Sequence, residues 1–166
     1  MNPNELCIRP ILPRDNQELA GVIREVLIEM GVPEEGTALA DASLERMYEA
    51  YQLPRSSYWV VSDTTGIWGG GGIAPLHGAG SGVCELQKMY FSKDLRGLGW
   101  GDRLIRLAMA RARLLGFEWM YLETMPYMKA AQNLYRRHGF RYLEHPRGTT
   151  GHTACTVWME KEFNLE

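Results

Sequence analysis

The chain has 166 residues and a mass of 18.9 kDa, which favours one domain of ordinary size over residues 1–166. Hydrophobic residues make up 45% and charged residues 23%, a globular composition that excludes an intrinsically disordered protein. Lys and Arg number 18 against 20 Asp and Glu, so the net charge of −2 excludes a general nucleic-acid binder, which needs a basic surface.

The first half of the chain predicts a strand, two helices and a hairpin. A strand over residues 7–12 precedes a helix over residues 15–30, whose apolar residues recur at spacings of three and four. A second helix is expected over residues 41–51. Two β-rich segments, residues 57–63 and 67–73, are joined by a short turn and predict an antiparallel hairpin.

The second half alternates between strands and helices. The expected elements are a strand over residues 84–91, a helix from Gly99 or Gly101 to Leu115, a strand over 119–124, a helix over 128–138, and two last strands over 140–145 and 153–161. The central strand–helix–strand–helix order predicts parallel pairing, whereas the hairpin is antiparallel. The expected fold is therefore α/β, with a mixed, twisted sheet flanked by helices.

The cysteines and the N-terminal residues indicate the compartment. Cys7, Cys84 and Cys155 are far apart and odd in number, which is typical of free thiols in a reducing compartment. The N-terminal residues lack the apolar segment of a secretory signal, and no apolar run approaches the roughly 20 residues that a membrane helix needs. We therefore expect a cytoplasmic protein without a membrane partner. No Cys and His spacing fits a zinc site, so no metal is expected.

Two glycine-rich segments stand out. The four glycines of residues 69–72 either let a substrate approach closely or relieve crowding within a strand. The segment Arg96-Gly97-Leu98-Gly99-Trp100-Gly101 joins a predicted strand to a predicted helix. Glycine adopts positive φ angles readily, and a helix N-terminus offers free N–H groups to an anion. This second segment is therefore either a phosphate or pyrophosphate site or a tight turn, and three alternating glycines behind an arginine favour the anion site.

Two common phosphate motifs do not fit this segment. The P-loop pattern GxxxxGK[ST] is absent from the chain. The dinucleotide pattern GxGxxG is missed by one residue. Glu123 lies near the distance at which that fold places its ribose-binding acid, but too little chain follows it for the remaining parallel units. A nicotinamide or flavin site is the weaker interpretation.

The sequence resembles the GNAT family, the GCN5-related N-acetyltransferases. Arg96, Gly99 and Gly101 match the family motif [RQ]-x-x-G-x-[GA], and the segments ELQKMYF, WMYLET and AAQNLYRRHGF follow in the family's order. The resemblance is specific over residues 58–142. The segments GGGGIAPL, CELQKMYF, LET and TGH followed by CTVWM resemble a bacterial subgroup of small-molecule, L-amino-acid N-acetyltransferases.

The resemblance implies acetyl-CoA as co-substrate. Its pyrophosphate would lie on the amides of residues 97–101, and its pantetheine arm would pair with the strand that ends at Phe91. The cofactor-binding residues expected on this basis are Met89, Tyr90, Phe91, Arg96, Gly97, Leu98, Gly99, Trp100 and Gly101. Many family members have Asn seven residues before Tyr135, whereas this chain has Met128, which puts one contact to the cofactor in question.

Glu85 is the candidate general base. It lies six residues before Phe91, the spacing of the base glutamate in the histone acetyltransferase branch of the family. A carboxylate inside a central strand is costly unless it has a task or a partner, so the alternative is a salt bridge with an arginine. Strand alternation predicts two faces: Glu85, Gln87 and Met89 on one, and Leu86, Lys88 and Tyr90 on the other.

Tyr135 is the candidate general acid. It lies in the segment LYRRHGF, and the resemblance implies that its hydroxyl protonates the departing CoA thiolate. An unperturbed phenol has a pKa of about 10 and is a proton donor at neutral pH. The alternative is a half-buried aromatic residue on an amphipathic helix. Cys84 is expected to face away from Glu85, so we expect direct transfer to a primary amine without a covalent enzyme intermediate.

The acceptor is the least defined part of the prediction. An amino acid would present its α-amine and a carboxylate, for which Arg46 and Arg55 are candidate partners. His152 either lines the acceptor pocket or is an exposed loop residue. The expected apolar pocket residues are Met47, Tyr48, Tyr51 and Trp68. Peptide or protein N-termini, lysine side chains and amine drugs are other possible acceptors, and a non-catalytic acyl-CoA-binding sensor is the alternative function. The resemblance also allows a homodimer.

Overall fold

The computed structural model describes residues 1–2 and 4–163, and the predicted α/β fold class is confirmed. The seven strands are β1 (Cys7–Pro10), β2 (Ser57–Ser62), β3 (Ile67–Pro75), β4 (Val83–Phe91), β5 (Trp119–Thr124), β6 (Arg141–Tyr142) and β7 (Val157–Glu162). The α-helices are α1 (Asn16–Glu29), α2 (Met47–Ala50), α3 (Trp100–Leu114) and α4 (Lys129–Arg137). The prediction of one domain stays a prediction, and residues 3 and 164–166 lie outside the described part.

One mixed sheet has the strand order β1-β2-β3-β4-β5-β7-β6. Every neighbouring pair is antiparallel except β4 and β5, which confirms the parallel pairing expected in the centre. That parallel pairing joins only Val83–Glu85 to Trp119–Tyr121. Beyond Glu85 the two strands separate, while β5 continues to pair with β7 as far as Thr124. The sheet is therefore open in its middle, on the side where β4 ends.

The helices bury the two faces of the sheet. On one face, Leu104, Ile105 and Ala108 of α3 pack among strand residues such as Ile73 and Leu86. On the other face, apolar residues of α1 contact β2 and the segment before α2; they are Leu19, Ile23 and Leu27. The spacing of three and four that predicted α1 thus forms its buried stripe. Among the described residues, no helix is both long and apolar enough to cross a membrane.

Three predicted elements are wrong in part. Residues 41–51 form a 3-10 helix, Ala42–Arg46, followed by the four-residue α2, because Arg46 adopts non-helical angles of φ −136 and ψ 47. The last two predicted strands are shorter than expected, and a loop over residues 143–156 separates β6 from β7. Gly148 and Gly151 have φ angles of 64 and 81 in this loop, which are incompatible with extended strand pairing.

The four-glycine run lies in β3 and relieves crowding, one of the two roles expected. A Cβ atom added to Gly72 would lie 2.5 Å from Cδ2 of Tyr58, and one added to Gly71 would lie 2.7 Å from Cδ2 of Leu104. The glycines therefore let side chains from both faces of the sheet rest directly on the β3 backbone.

Candidate active site

A β-bulge interrupts β4 next to the opening in the sheet. Gly72 of β3 pairs with Gln87 and Gly70 pairs with Tyr90, so Lys88 and Met89 together oppose one residue. Lys88 adopts a left-handed φ of 46, which is strained for a residue with a side chain. The Tyr58 hydroxyl donates to the Lys88 carbonyl at 2.9 Å and holds the bulge in place.

The bulge corrects the predicted faces of β4. Glu85 and Gln87 do lie on one face, but from Lys88 onward the prediction is wrong, because the extra residue reverses the alternation. Met89 packs with Leu86 against α3, whereas Tyr90 packs on the α1 face. Lys88 borders the same cavity as Glu85.

Glu85 faces a cavity of about 590 Å³ beside the bulge. The side chain is 5% exposed, and Gln87 Nε2 donates to its Oε2 at 2.6 Å. Burial raises the pKa of Glu85 above its ordinary range, and this hydrogen bond opposes the increase. The predicted alternative, an arginine salt bridge, is absent among the described residues, where the hydrogen-bond partner of this carboxyl group is Gln87.

An ion cluster lies on another wall of the same cavity. Asp41 Oδ1 is 2.9 Å from His152 Nε2, and Asp41 Oδ2 is 2.5 Å from Lys88 Nζ. Burial favours a raised pKa for Asp41, but His152 and Lys88 outweigh it and lower the pKa of that carboxyl. The hydrogen bond from Asp41 raises the pKa of His152 in turn. The sequence named His152 as a candidate, but it gave no signal for Asp41 or for Lys88.

The segment of residues 96–101 forms the turn between β4 and α3. Gly97 and Gly99 have left-handed φ angles of 77 and 83, as the glycine pattern predicted. The backbone amides of residues 97–102 donate to no described residue, since the first helical bond beyond them runs from Arg103 N to Gly99 O. Six successive amides without an acceptor among the described residues, at the start of a fifteen-residue helix, are the donor groups that an anion-binding site requires.

The side chains of this turn have other partners. Arg96 donates from Nε to the Phe91 carbonyl at 2.9 Å, and its terminal nitrogens pair with Glu29 at 2.7 and 3.2 Å. Leu98 is 53% exposed, whereas Trp100 is buried beneath the Arg103 guanidinium. Arg96 therefore ties the turn to the end of β4 and to α1. Its predicted contact with the cofactor stays a prediction.

Tyr135 lies on α4 and is 7% exposed. Its ring packs against Phe140 with centroids 5.9 Å apart, and burial raises the pKa of its hydroxyl above the ordinary value. The hydroxyl forms no hydrogen bond with any described residue. It is not fully enclosed, because the one fully enclosed side-chain oxygen or nitrogen without a partner among those residues is Ser92 Oγ. The raised pKa of the Tyr135 hydroxyl favours the protonated form, and no described residue accepts a hydrogen bond from it. Met128, at the position of the family's asparagine, contacts Thr124 through its sulfur.

The structure does not bring most of the predicted acceptor residues to the cavity. Arg55 donates to the carbonyls of Ser81 and Leu115 and stacks on a phenylalanine ring, so its guanidinium is occupied. Arg46 is exposed and does not line the cavity. Of the predicted apolar residues only Tyr51 lines it. Met47, Tyr48 and Trp68 pack elsewhere.

Cys84 faces away from Glu85, as predicted. It is fully buried in the cluster beneath α3, and its thiol donates to the Trp119 carbonyl at 3.4 Å. Burial raises the pKa of this thiol to about 12, so it is not a nucleophile at neutral pH.

Comparison with known proteins gives consistent matches. The model of the acetyltransferase (GNAT) family matches residues 14–140. The uncharacterised N-acetyltransferase YjgM of Escherichia coli K12 is 42% identical over 162 residues, which cover 97% of each chain. The crystal structure of a GNAT-family acetyltransferase from Staphylococcus aureus Mu50 superposes with a TM-score of 0.84 at 19% identity, covering 95% of this chain and 98% of that one. The structure of yncA from Salmonella typhimurium, which holds its cofactor acetyl-CoA, has a TM-score of 0.78 at 17% identity, covering 98% and 96%. The chain therefore belongs to the acetyltransferase (GNAT) family.

Proposed function

We propose that this protein transfers the acetyl group of acetyl-CoA directly to the primary amine of a small molecule, and that an L-amino acid is the acceptor. The observation that carries the proposal is the position of Glu85 in a cavity beside the separated strands. This buried carboxyl group has no ion-pair partner among the described residues. Family membership supports acetyl transfer from acetyl-CoA to an amine.

The chain offers suitable partners for acetyl-CoA. The free amides of residues 97–102 suit a pyrophosphate, because they combine N–H donors with the positive end of the α3 dipole. Met89, Tyr90 and Phe91 lie beyond the last residue of β4 that pairs with β5, so their edge toward β5 is available to an extended arm. Only residues 92–96 separate these two features in the chain, so one extended ligand could occupy both.

Glu85 would act as the general base, directly or through water. An α-ammonium has a pKa of about 8, and burial brings the pKa of Glu85 closer to that value, which makes proton transfer easier. The neutral amine would then attack the thioester carbonyl. A backbone N–H of the bulge, near Met89 or Tyr90, would stabilise the developing negative charge.

Tyr135 would act as the general acid. Its hydroxyl stays protonated because burial raises its pKa, and no described residue competes for its proton. Donation to the departing sulfur would release CoA as a thiol. Holding both substrates in one complex would supply a further part of the rate, since the attack becomes effectively intramolecular.

The charges of the cavity support an amino acid as acceptor. Glu85 contributes a carboxylate on one wall, and the cluster of Asp41, Lys88 and His152 on the other wall carries a net positive charge when His152 is protonated. Such a cavity is neutral overall but has separated charges, which complements a zwitterion. The acceptor amine would face Glu85, and its carboxylate would face Lys88 and His152, in place of the predicted Arg46 and Arg55.

The test is the release of CoA thiol from acetyl-CoA with a panel of amino acids, their methyl esters, polyamines and short peptides. We expect turnover with free amino acids and much weaker turnover with the esters, which lack the carboxylate. Glu85→Gln should abolish most of the activity while acetyl-CoA still raises the melting temperature. Turnover confined to peptides would overturn the acceptor class. Binding of acetyl-CoA without turnover of any amine would favour the sensor module.

A further inference from the structure

Three residues from two segments form a chain of hydrogen bonds that ends at Glu85. The Tyr51 hydroxyl donates to Gln87 Oε1 at 2.7 Å, and Gln87 Nε2 donates to Glu85 Oε2 at 2.6 Å. A primary amide has one acceptor end and one donor end. Because Tyr51 holds the acceptor end, the donor end faces the carboxylate.

The glycine run of β3 makes room for Tyr51. A Cβ atom on Gly72 would lie 3.0 Å from Cε1 of Tyr51. The Tyr51 ring also packs against the ring of Tyr58, with centroids 4.9 Å apart, and the two residues are 6% and 2% exposed. The hydroxyl of Tyr51 is therefore held by packing on two sides and has little freedom to leave Gln87.

We propose that Tyr51 and Gln87 are positioning residues, which hold the carboxylate of Glu85 ionised and oriented toward the acceptor amine. The inference rests on the proposed function, because it assumes that Glu85 is the base. It goes beyond that function by assigning a task to the glycine run and to a tyrosine that the sequence had placed in an apolar pocket.

The physical reason is the opposition between burial and hydrogen bonding. Burial favours the neutral form of Glu85, and a donated N–H favours the ionised form. Among the described side chains, Gln87 supplies the one hydrogen bond to this carboxyl group. Without the Tyr51 hydroxyl, the Gln87 amide could turn over and present its oxygen to Glu85. That arrangement is acceptable only when Glu85 is protonated.

Other titratable groups also face Glu85, and they stay in place in every variant used below. They come from the segment before α2, from β4 and β5, and from the loop before β7; they are Asp41, Lys88, Tyr90, Tyr121, Glu123, His152 and Cys155. Tyr51 itself does not titrate in the working range, since burial raises the pKa of its hydroxyl well above the ordinary value. A shift on removal of the hydroxyl would therefore report on the Gln87 contact.

The test is the pH profile of kcat/KM for the acceptor at saturating acetyl-CoA. In Tyr51→Phe, we expect the acid limb to move to higher pH by about half a unit to one unit, the size of one lost hydrogen bond. kcat should fall about three- to tenfold at neutral pH, and KM for acetyl-CoA should not change. The matched control is Tyr48→Phe, which removes a hydroxyl from a residue of α2 that does not line the cavity. Its acid limb should coincide with that of the wild type.

A second variant tests the chain of contacts as a unit. Gln87→Met keeps the length of the side chain, removes both polar ends, and should move the acid limb in the same direction. Because Tyr51 acts through Gln87, Tyr51→Phe should add no further shift in the Gln87→Met background. An unmoved acid limb in Tyr51→Phe, or full additivity of the two shifts, would overturn the proposal. If Tyr51→Phe does not fold, Gln87→Met alone tests the proposal: a shift of its acid limb to higher pH supports it, and an unmoved acid limb overturns it.

Failure of the proposed function would look different. If Glu85→Gln retained both wild-type turnover and the wild-type acid limb, Glu85 would not be the base, and the mechanism itself would be wrong. If Glu85→Gln lost activity while the acid limbs of Tyr51→Phe and Gln87→Met stayed in place, the mechanism would stand and the positioning role would be excluded.

Discussion

Lys88 and Asp41 form an ion pair of 2.5 Å in which the lysine side chain is only 7% exposed. Burying two charges costs several kcal/mol per ion before their attraction is counted. Lys88 also has a strained backbone at the bulge. This ion pair is costly, its backbone is strained, and it lies at the wall of the cavity that holds Glu85. Such a combination is typical of a binding site.

Lys88→Met should weaken the recognition of the acceptor carboxylate. We expect kcat/KM for an amino acid to fall about 10- to 100-fold, the value of a charge-assisted hydrogen bond. The same constant for the methyl ester should change little, because the ester lacks the charge. Steady-state kinetics with both acceptors measures the difference. Arg46→Met, which removes an exposed cation nearby, is the control and should leave both constants unchanged. An equal fall in kcat/KM for the ester and for the free acid would contradict the assignment of Lys88 to the acceptor carboxylate.

The contact between His152 and Asp41 should make stability depend on pH. Asp41 raises the pKa of His152 in the folded protein, so protonated His152 stabilises the fold. This contribution is complete below the unfolded pKa of about 6.5 and is lost as the pH rises through the higher folded pKa. We therefore expect the difference in free energy of unfolding between wild type and His152→Asn to be largest near the acidic end and to shrink toward pH 9. Urea unfolding at several pH values measures it. A constant difference would show that the imidazole does not titrate across this range.

Tyr135→Phe should lower kcat without disturbing the fold. Loss of a general acid costs about a hundredfold or more in rate. The phenyl ring still packs against Phe140, and the hydroxyl has no partner among the described residues, so stability should change little. Single-turnover kinetics gives the rate, and thermal unfolding gives the stability. An unchanged rate would mean that water protonates the sulfur.

Gly99→Ala should weaken acetyl-CoA binding through the backbone. A Cβ atom at Gly99 meets nothing within 4 Å, so the left-handed φ of 83 is the sole source of strain. That strain is worth about 1–2 kcal/mol, and its relief would move the amides that follow. We expect the dissociation constant of acetyl-CoA to rise about tenfold, as measured by calorimetry. Gly80→Ala, which lacks both the left-handed angle and close neighbours, should bind as the wild type does.

Gly72→Ala should destabilise the protein. The added Cβ atom would lie 2.5 Å from the Tyr58 ring and 2.6 Å from the Ser57 carbonyl, so backbone or ring must shift. Overpacking of this kind costs about 1–3 kcal/mol. The contrasting variant is Gly21→Ala in α1, where nothing lies within 4 Å and helix propensity should add up to about 1 kcal/mol of stability. Urea unfolding measures the free energy of unfolding of both variants. If Gly72→Ala were as stable as Gly21→Ala, the close packing assigned to Gly72 would be wrong.

Much of the fold, and the turn of residues 96–101, could be predicted because the sequence features that determine them are local. The spacing in α1, the β-rich segments and the glycines of residues 96–101 each specify backbone conformation within a few residues. Glu85 and Tyr135 came from motifs of the same kind. Their place in the fold agrees with those motifs, and their catalytic roles stay predictions.

The cluster of Asp41, Lys88 and His152 could not be predicted because it depends on contacts between distant segments. Asp41 meets Lys88 and His152 only after three separate parts of the chain have packed together. The bulge adds to the difficulty, since nothing in the segment QKMYF indicates that Lys88 takes a left-handed angle. Without the bulge, alternation places Lys88 on the wrong face, and Arg55 becomes the apparent partner of a carboxylate.

The short contact between β4 and β5 has a consequence for the cohesion of the whole sheet. Among the described strands, the pairing that joins the block β1–β4 to the block β5–β7 is three residues long. A ligand arm lying between the two strands would act as a temporary eighth strand and bridge the gap. Amide hydrogen exchange in the second half of β4 should therefore slow on addition of acetyl-CoA, and the two blocks should then unfold as one unit.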